Sequence, residues 1–101
     1  MAYADVLVEV KDNVAWLTIN RPDKGNTFRR QTVLELIQAL NEARHDTQVR
    51  VVVITGAGDR FFCLGGEKEP SDGMLHYHNV PPVVDLYTLI DMMPLPVIAM
   101  V

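Results

Sequence analysis

The chain has 101 residues, 49% of them hydrophobic, and carries nine Lys and Arg against thirteen Asp and Glu for a net charge of −4. A chain of that length forms one domain at most and can bury roughly 60–70% of its extended surface, enough for a true core. Its cations are scattered rather than clustered, which argues against a nucleic-acid or anionic-membrane surface, and its single cysteine, Cys63, excludes an internal disulfide and fits a reducing compartment.

The first residues, Met1-Ala2-Tyr3-Ala4-Asp5, show neither the basic nor the long apolar stretch of a secretory leader, and no apolar run reaches about 18 residues. The expected location is the cytoplasm. Val6 to Val10 and Val14 to Asn20 are β-rich runs separated by Lys11-Asp12-Asn13, a pattern that predicts a hairpin with a short polar turn. Arg21-Pro22 ends the second strand, because proline has no N–H to give a ladder. From Phe28 to Arg44, Val33, Leu36, Ile37, Leu40 and Ala43 recur at three- and four-residue spacing. That period predicts an amphipathic helix with Arg29, Arg30, Glu35, Gln38, Asn41 and Glu42 mostly off its apolar stripe, and Asn26 or Thr27 as N-cap.

Val51 to Thr55 is a continuous β-branched run of the kind covered on both faces, and it follows a helix, so a parallel β–α–β unit is expected. Glu69-Pro70-Ser71-Asp72-Gly73 has loop composition suited to a pocket rim. Pro81-Pro82 opens a second helix over Val83 to Met93, which Pro94 stops, and Pro96 to Val101 reads as a further strand. Alternating strands and helices predict an α/β fold. A buried strand is rarely a free terminus, so residues 1–101 are expected to form a partial domain truncated at its C-terminal end.

The chemistry concentrates in Phe61-Phe62-Cys63-Leu64-Gly65-Gly66-Glu67-Lys68. A strand that runs into two glycines can present bare backbone N–H groups to a ligand. When an acyl group becomes an enolate, charge collects on its former carbonyl oxygen, and a fixed N–H about 2.7–3.1 Å away stabilises it by roughly 3–4 kcal/mol. Gly66 N–H is the best candidate donor; the competing reading is that Gly65-Gly66 only makes a tight turn. Gly56-Ala57-Gly58 after a strand also suggests a dinucleotide fingerprint, but the third glycine of that pattern would fall at Phe61. His76 and His78 are two imidazoles where a zinc site needs three or four ligands. Cys63 has no histidine tied to it by a motif and reads as small core packing.

Taken together, Asn20-Arg21-Pro22-Asp23-Lys24-Gly25-Asn26, the helix, Ile54-Thr55-Gly56 through Leu64-Gly65-Gly66-Glu67, and Pro96 to Val101 resemble the N-terminal part of the crotonase (enoyl-CoA hydratase/isomerase) superfamily, over nearly all 101 residues. The resemblance implies a crotonase-like ββα spiral, here its N-terminal portion: hairpin, helix, parallel strand, loop, helix, strand. It implies an acyl-CoA enzyme that stabilises a thioester enolate, with coenzyme A entering as part of the substrate and no tightly bound cofactor or metal. The backbone at Leu64, with Gly65 beside it, would help hold the CoA adenine or its pantetheine arm, Gly66 would be one of two oxyanion donors, and Lys24, Arg21 and Lys68 would face the CoA phosphates. A cation in a polar loop can equally be solvated. The second donor and the acid and base carboxylates would lie beyond Val101, and family members assemble as trimers or pairs of trimers.

Gly-Gly followed by an acid is closer to the dihydroxynaphthoyl-CoA synthase and ketocyclohexanecarboxyl-CoA hydrolase subgroup than to simple hydratases, so ring-forming or ring-opening Claisen-type chemistry is implied beside hydration and isomerisation. Three positions depart from the synthase pattern: Glu67 replaces Asp, Gly25 replaces a basic residue, and the segment from Glu69 to Val80 is shorter. Tyr77, thirteen residues after Leu64, matches a substrate-contacting tyrosine of that subgroup, and a phenol can donate to an enolate oxygen. Its other reading is a packing tyrosine. Glu67 fits loop orientation better than base catalysis, since a carboxylate beside the oxyanion opposes the developing charge. The alternative function is a non-catalytic acyl-CoA-binding or subunit-interaction module.

Overall fold

A computed structural model describes residues 3–60, 62–63 and 82–101. Four strands, β1 (Val6–Lys11), β2 (Val14–Ile19), β3 (Val51–Gly56) and β4 (Val97–Ala99), form one sheet in the order β1-β2-β3-β4, with α1 (Arg30–His45) between β2 and β3 and α2 (Pro82–Met92) between β3 and β4. The pairing of β1 with β2 is antiparallel and the other two are parallel. The expected hairpin and parallel β–α–β unit are therefore present, and α2 makes a second parallel crossover.

The hairpin closes at Lys11↔Val14, leaving Asp12 and Asn13 as its two-residue loop. Both have positive φ, 54° and 67°, as a primed turn requires, and Asp and Asn are among the few non-glycine residues that tolerate it. Asn13 also holds the other end of the first crossover: its Nδ2 donates to Gln48 O at 2.8 Å, and its carbonyl accepts Arg50 N–H at 2.8 Å.

The core follows from the two periods. Alternate β2 residues Ala15, Leu17 and Ile19 are buried, while Val14, Trp16 and Thr18 are half-buried. Ala15 and Leu17 pair with Val52 and Ile54, and these four pack in one cluster with Val33, Leu36, Ala39, Leu40 and Ala43 of α1 and Leu86 of α2. Val52, Val53 and Ile54 are all buried, as the unbroken apolar run of β3 predicts. Leu40 is 0% exposed, so Leu40→Ala should destabilise the fold by about 2–5 kcal/mol, measured as a lower urea midpoint; a loss below about 1 kcal/mol would show that the core collapses around the gap. The sheet thins outward: Leu7, Val8 and Val10 of β1 and Ile98 of β4 are exposed.

Two features of α1 depart from the periodicity reading. The helix starts at Arg30 with Arg29 as N-cap, rather than at Phe28 behind Asn26 or Thr27. Asn26 has φ 56° and its side chain is committed elsewhere, so it cannot cap; instead Thr32 Oγ1 accepts the Arg29 N–H at 3.1 Å, one arm of a capping box. The second departure is Glu35, which the apolar spacing assigns to the polar side but which is only 4% exposed. Its carboxylate accepts the backbone N–H groups of Ala4 (3.1 Å), Asp5 (2.8 Å) and Val6 (3.0 Å), and Gln31 Nε2 donates to it at 2.6 Å. A buried carboxylate is tolerated here because the chain entering β1 supplies donors for it.

Asp5 completes that corner. Its Oδ2 and Oδ1 accept Arg29 Nε and Nη2, each at 2.8 Å, and Thr32 Oγ1 donates to Oδ2 at 2.7 Å. The Arg29 hydrogen bonds, joined by that of Thr32 and by the charge of Arg29, hold the Asp5 carboxyl below its ordinary value against the opposing effect of burial. A carboxyl with a lowered folded pKa gives stability that is present above its unfolded value of about 3.9 and is lost as pH falls through the folded value. Asp5→Asn should therefore lower stability at neutral pH and flatten its fall between about pH 5 and about pH 3. Denaturant midpoints measured across that range check this, and parallel wild-type and variant curves would contradict it.

Candidate functional site

Because β2, β3 and β4 are parallel, their carboxyl ends lie along one edge of the sheet, the edge where open parallel sheets receive ligands. The strands are tied together there beyond their last ladder residues: Ala57 N–H donates to Ile19 O at 2.8 Å, Met100 N–H to Ile54 O at 2.9 Å, and Thr55 Oγ1 to Met100 O at 3.0 Å.

The exit of β2 is a compact loop. Pro22–Lys24 make one 3-10 turn with proline in its first turn, where a missing N–H costs nothing, and Gly25 closes it with φ 64° and its N–H on Pro22 O at 3.2 Å. Arg21 O accepts from both Lys24 N–H (2.9 Å) and Asn26 N–H (2.8 Å). Lys24 ends this turn and is exposed. Arg21, the other cation read as phosphate-facing, is half-buried and donates from Nη1 to Thr27 O at 2.7 Å, so its guanidinium helps build the loop.

Asn26, which sequence reading considered only as a helix cap, is 0% exposed. Its Oδ1 accepts Arg21 N–H and its Nδ2 donates to Ala57 O, both at 2.9 Å. One buried amide thus joins the loop after β2 to the chain leaving β3. The only sequence signal was Gly25-Asn26 after a proline turn, a pair suited to consecutive left-handed residues.

Beyond Ala57, Gly58 has φ 84°, a value that favours glycine, and the chain passes Asp59 and Arg60 to Phe62 and Cys63. A crevice of about 250 Å³ lies between the ends of β3 and β4, lined by Thr55, Gly56, Gly58, Asp59, Arg60, Phe62, Met100 and Val101. An apolar hollow of about 260 Å³, which shares Phe62 with the crevice, is lined by Ile19, Phe28, Val33, Leu36, Ile54, Cys63, Leu86, Tyr87, Ile90 and Ala99. Cys63 is half-buried against this hollow, in keeping with its reading as a packing residue.

Among the sequence-derived candidates, Lys24 is placed at this edge. Leu64, Gly65, Gly66, Lys68 and Tyr77, with Glu67, His76 and His78, lie outside the described residues. Among the described residues no three His, Cys, Asp or Glu come together as a metal site, and no helix is long and apolar enough to cross a membrane.

A hairpin followed by two parallel crossovers, with helices packed on its sheet, is the mixed α/β architecture of the N-terminal portion of the crotonase fold. The enoyl-CoA hydratase/isomerase family model matches residues 9–101, and the chain belongs to that family. Among solved structures, it is 33% identical to an enoyl-CoA hydratase from Mycobacterium avium subsp. paratuberculosis K-10, with a TM-score of 0.83 over 98% of this chain and 39% of that one. An enoyl-CoA hydratase from Bacillus anthracis matches at 27% identity and TM-score 0.83, over 95% of this chain and 39% of that one. An enoyl-CoA hydratase/isomerase from Pseudoalteromonas atlantica T6c matches at 28% and 0.76, over 95% and 37%. The chain therefore spans about two fifths of the length of each of these proteins.

Proposed function

We propose that this chain supplies the CoA-binding edge and one oxyanion donor of an acyl-CoA enzyme that works through a thioester enolate. The observation that carries the reading is the meeting of the Lys24 turn with the exit of β3, the strand from which the chain runs through Phe62-Cys63 directly into Leu64-Gly65-Gly66. In this reading Lys24 and Lys68 neutralise CoA phosphates, and the backbone at Leu64 and Gly65 borders the pantetheine arm.

Gly66 N–H donates to the thioester oxygen. When a base takes the α-proton, the C–H electron pair becomes a carbon–carbon double bond and the carbonyl π pair moves onto that oxygen, which the N–H then stabilises. The base, its acid partner and the second oxyanion donor come from residues outside these 101. Isomerisation of an enoyl thioester is the simplest reaction of this kind. In hydration the same enolate forms when a base takes a proton from water, the water oxygen adds to the β-carbon, the alkene pair shifts to the α-carbon–carbonyl bond and the carbonyl π pair moves onto the oxygen. The α-carbon then takes a proton from the acid. The Gly65-Gly66 pair with Tyr77 supports Claisen-type ring chemistry as its specialised form, with Tyr77 donating to the developing oxyanion. The reading places the enzyme in the cytoplasm as a trimer or a pair of trimers.

The test, made on the whole enzyme to which these 101 residues contribute, is a calorimetric titration with coenzyme A followed by an absorbance assay of crotonyl-CoA hydration. Binding with turnover supports the whole reading. Binding without turnover of any enoyl or ring-forming CoA substrate reduces it to a CoA-binding module, and no binding refutes it.

A further inference from the structure

We propose that Asn26 is a positioning residue that fixes the Lys24 turn against the exit of β3, and so sets where the cation meets the phosphates of a CoA ligand. This rests on the acyl-CoA reading above. The side chain has two jobs at once: Oδ1 closes the turn on Arg21 N–H, and Nδ2 reaches Ala57 O, 31 positions along the chain. Its own N–H bonds Arg21 O at 2.8 Å, so the Lys24 turn is closed from both the backbone and the side chain of one residue.

The amide also bridges the two segments beside a small recess. The recess, of about 100 Å³, is lined by Pro22, Asn26, Ala57, Gly58, Asp59 and Arg60. The backbone at Asn26 (φ 56°) further narrows the choice of residue, since glycine, asparagine and aspartate are the types that adopt it at little cost. Glycine would keep the conformation and lose both side-chain bonds. Aspartate would keep an acceptor for Arg21 N–H and present a carboxylate to Ala57 O. Asparagine alone offers an acceptor and a donor at that φ with a side chain this short.

Lys24 carries a compact charge on a flexible stem, so its pull on a phosphate depends on where the turn holds its Cα. The experiment is a double-mutant cycle on the affinity for coenzyme A, read by calorimetry in wild type, Lys24→Ala, Asn26→Gly and the double variant, at low and high salt. The proposal expects Asn26→Gly to weaken binding about tenfold, and the double variant to be no more than about twofold weaker than Asn26→Gly alone, because both changes remove one phosphate contact. It also expects Asn26→Gly to flatten the salt dependence of binding as Lys24→Ala does.

Additive losses with an unchanged salt dependence would mean that Asn26 only stabilises the fold, and would overturn the proposal. Asn26→Asp, read in the same cycle, carries the test if Asn26→Gly lacks a cooperative unfolding transition. Wild-type binding with an unaffected Asn26→Gly refutes this inference alone, whereas absence of wild-type binding refutes the CoA reading and this inference with it.

Discussion

Gly66→Pro is expected to lower kcat/KM toward a CoA thioester by about 10²- to 10³-fold, the loss of one preorganised oxyanion donor worth roughly 3–4 kcal/mol in the transition state. Proline removes the backbone N–H and nothing else that could donate at that position. Gly66→Ala keeps the N–H and separates the donor from the absence of a side chain. If the donor carries the effect, alanine retains far more activity than proline, provided both variants unfold at the wild-type temperature. Equal losses in the two would show that Gly66 serves as a space or a turn, which is the competing reading of the Gly65-Gly66 pair. Coenzyme A affinity should change less than turnover in Gly66→Pro, because the charge that the N–H stabilises develops only during reaction.

The largest stability effect is expected at Glu35. Glu35→Ala leaves the N–H groups of Asp5 and Val6 without their acceptor at buried positions, and frees Ala4 and Gln31 from theirs. Each buried donor left unpaired costs about 1–3 kcal/mol, so a total near 3–5 kcal/mol is expected in denaturant unfolding. Glu35→Gln keeps a carbonyl acceptor and should cost less, at about 1–2 kcal/mol. A Glu35→Ala loss under 1 kcal/mol would mean that water or a rearranged chain takes over the three donors. The same variant should speed hydrogen exchange at Asp5 and Val6 before the remaining residues of β1, since those amides lose their partner directly.

Much of the architecture was readable because the forces that set it are local and periodic. Two β-rich runs about a short polar turn mark β1 and β2, the three- and four-residue spacing marks α1, and the run Val51 to Thr55 marks a strand whose Val52, Val53 and Ile54 are all buried. Strand and helix ends came within one or two residues; the two departures are side chains that work over distance. Glu35 breaks the helical period because its partners are the amides of residues 4 to 6, whose nearness to α1 is a property of the folded sheet. Asn26 was read as a cap because asparagine often is one; its real partners, Arg21 N–H and Ala57 O, require the β2–α1–β3 crossover to exist first.

The candidate site divides the same way. Lys24 could be picked from its motif, and it is exposed at the carboxyl edge of the sheet. Arg21 carried the same charge and the same motif, but its guanidinium is held by Thr27 O, a bond that no sequence spacing announces. The glycine pair was legible as chemistry because an N–H needs no side chain. Its geometry depends on how Phe62 and Cys63 leave the crevice at the end of β3, which a motif does not encode.

The most direct test of the central claim is hydrogen exchange of the protein with and without saturating coenzyme A, resolved to short peptides. Added protection is expected on residues 21–27 and on residues 57–68, segments linked through the Asn26–Ala57 bond, with β1 unchanged. Protection centred on β1 or on the exposed flank of α2, or no protection at a concentration that saturates binding, would contradict the placement of the acyl-CoA at the carboxyl edge of the sheet.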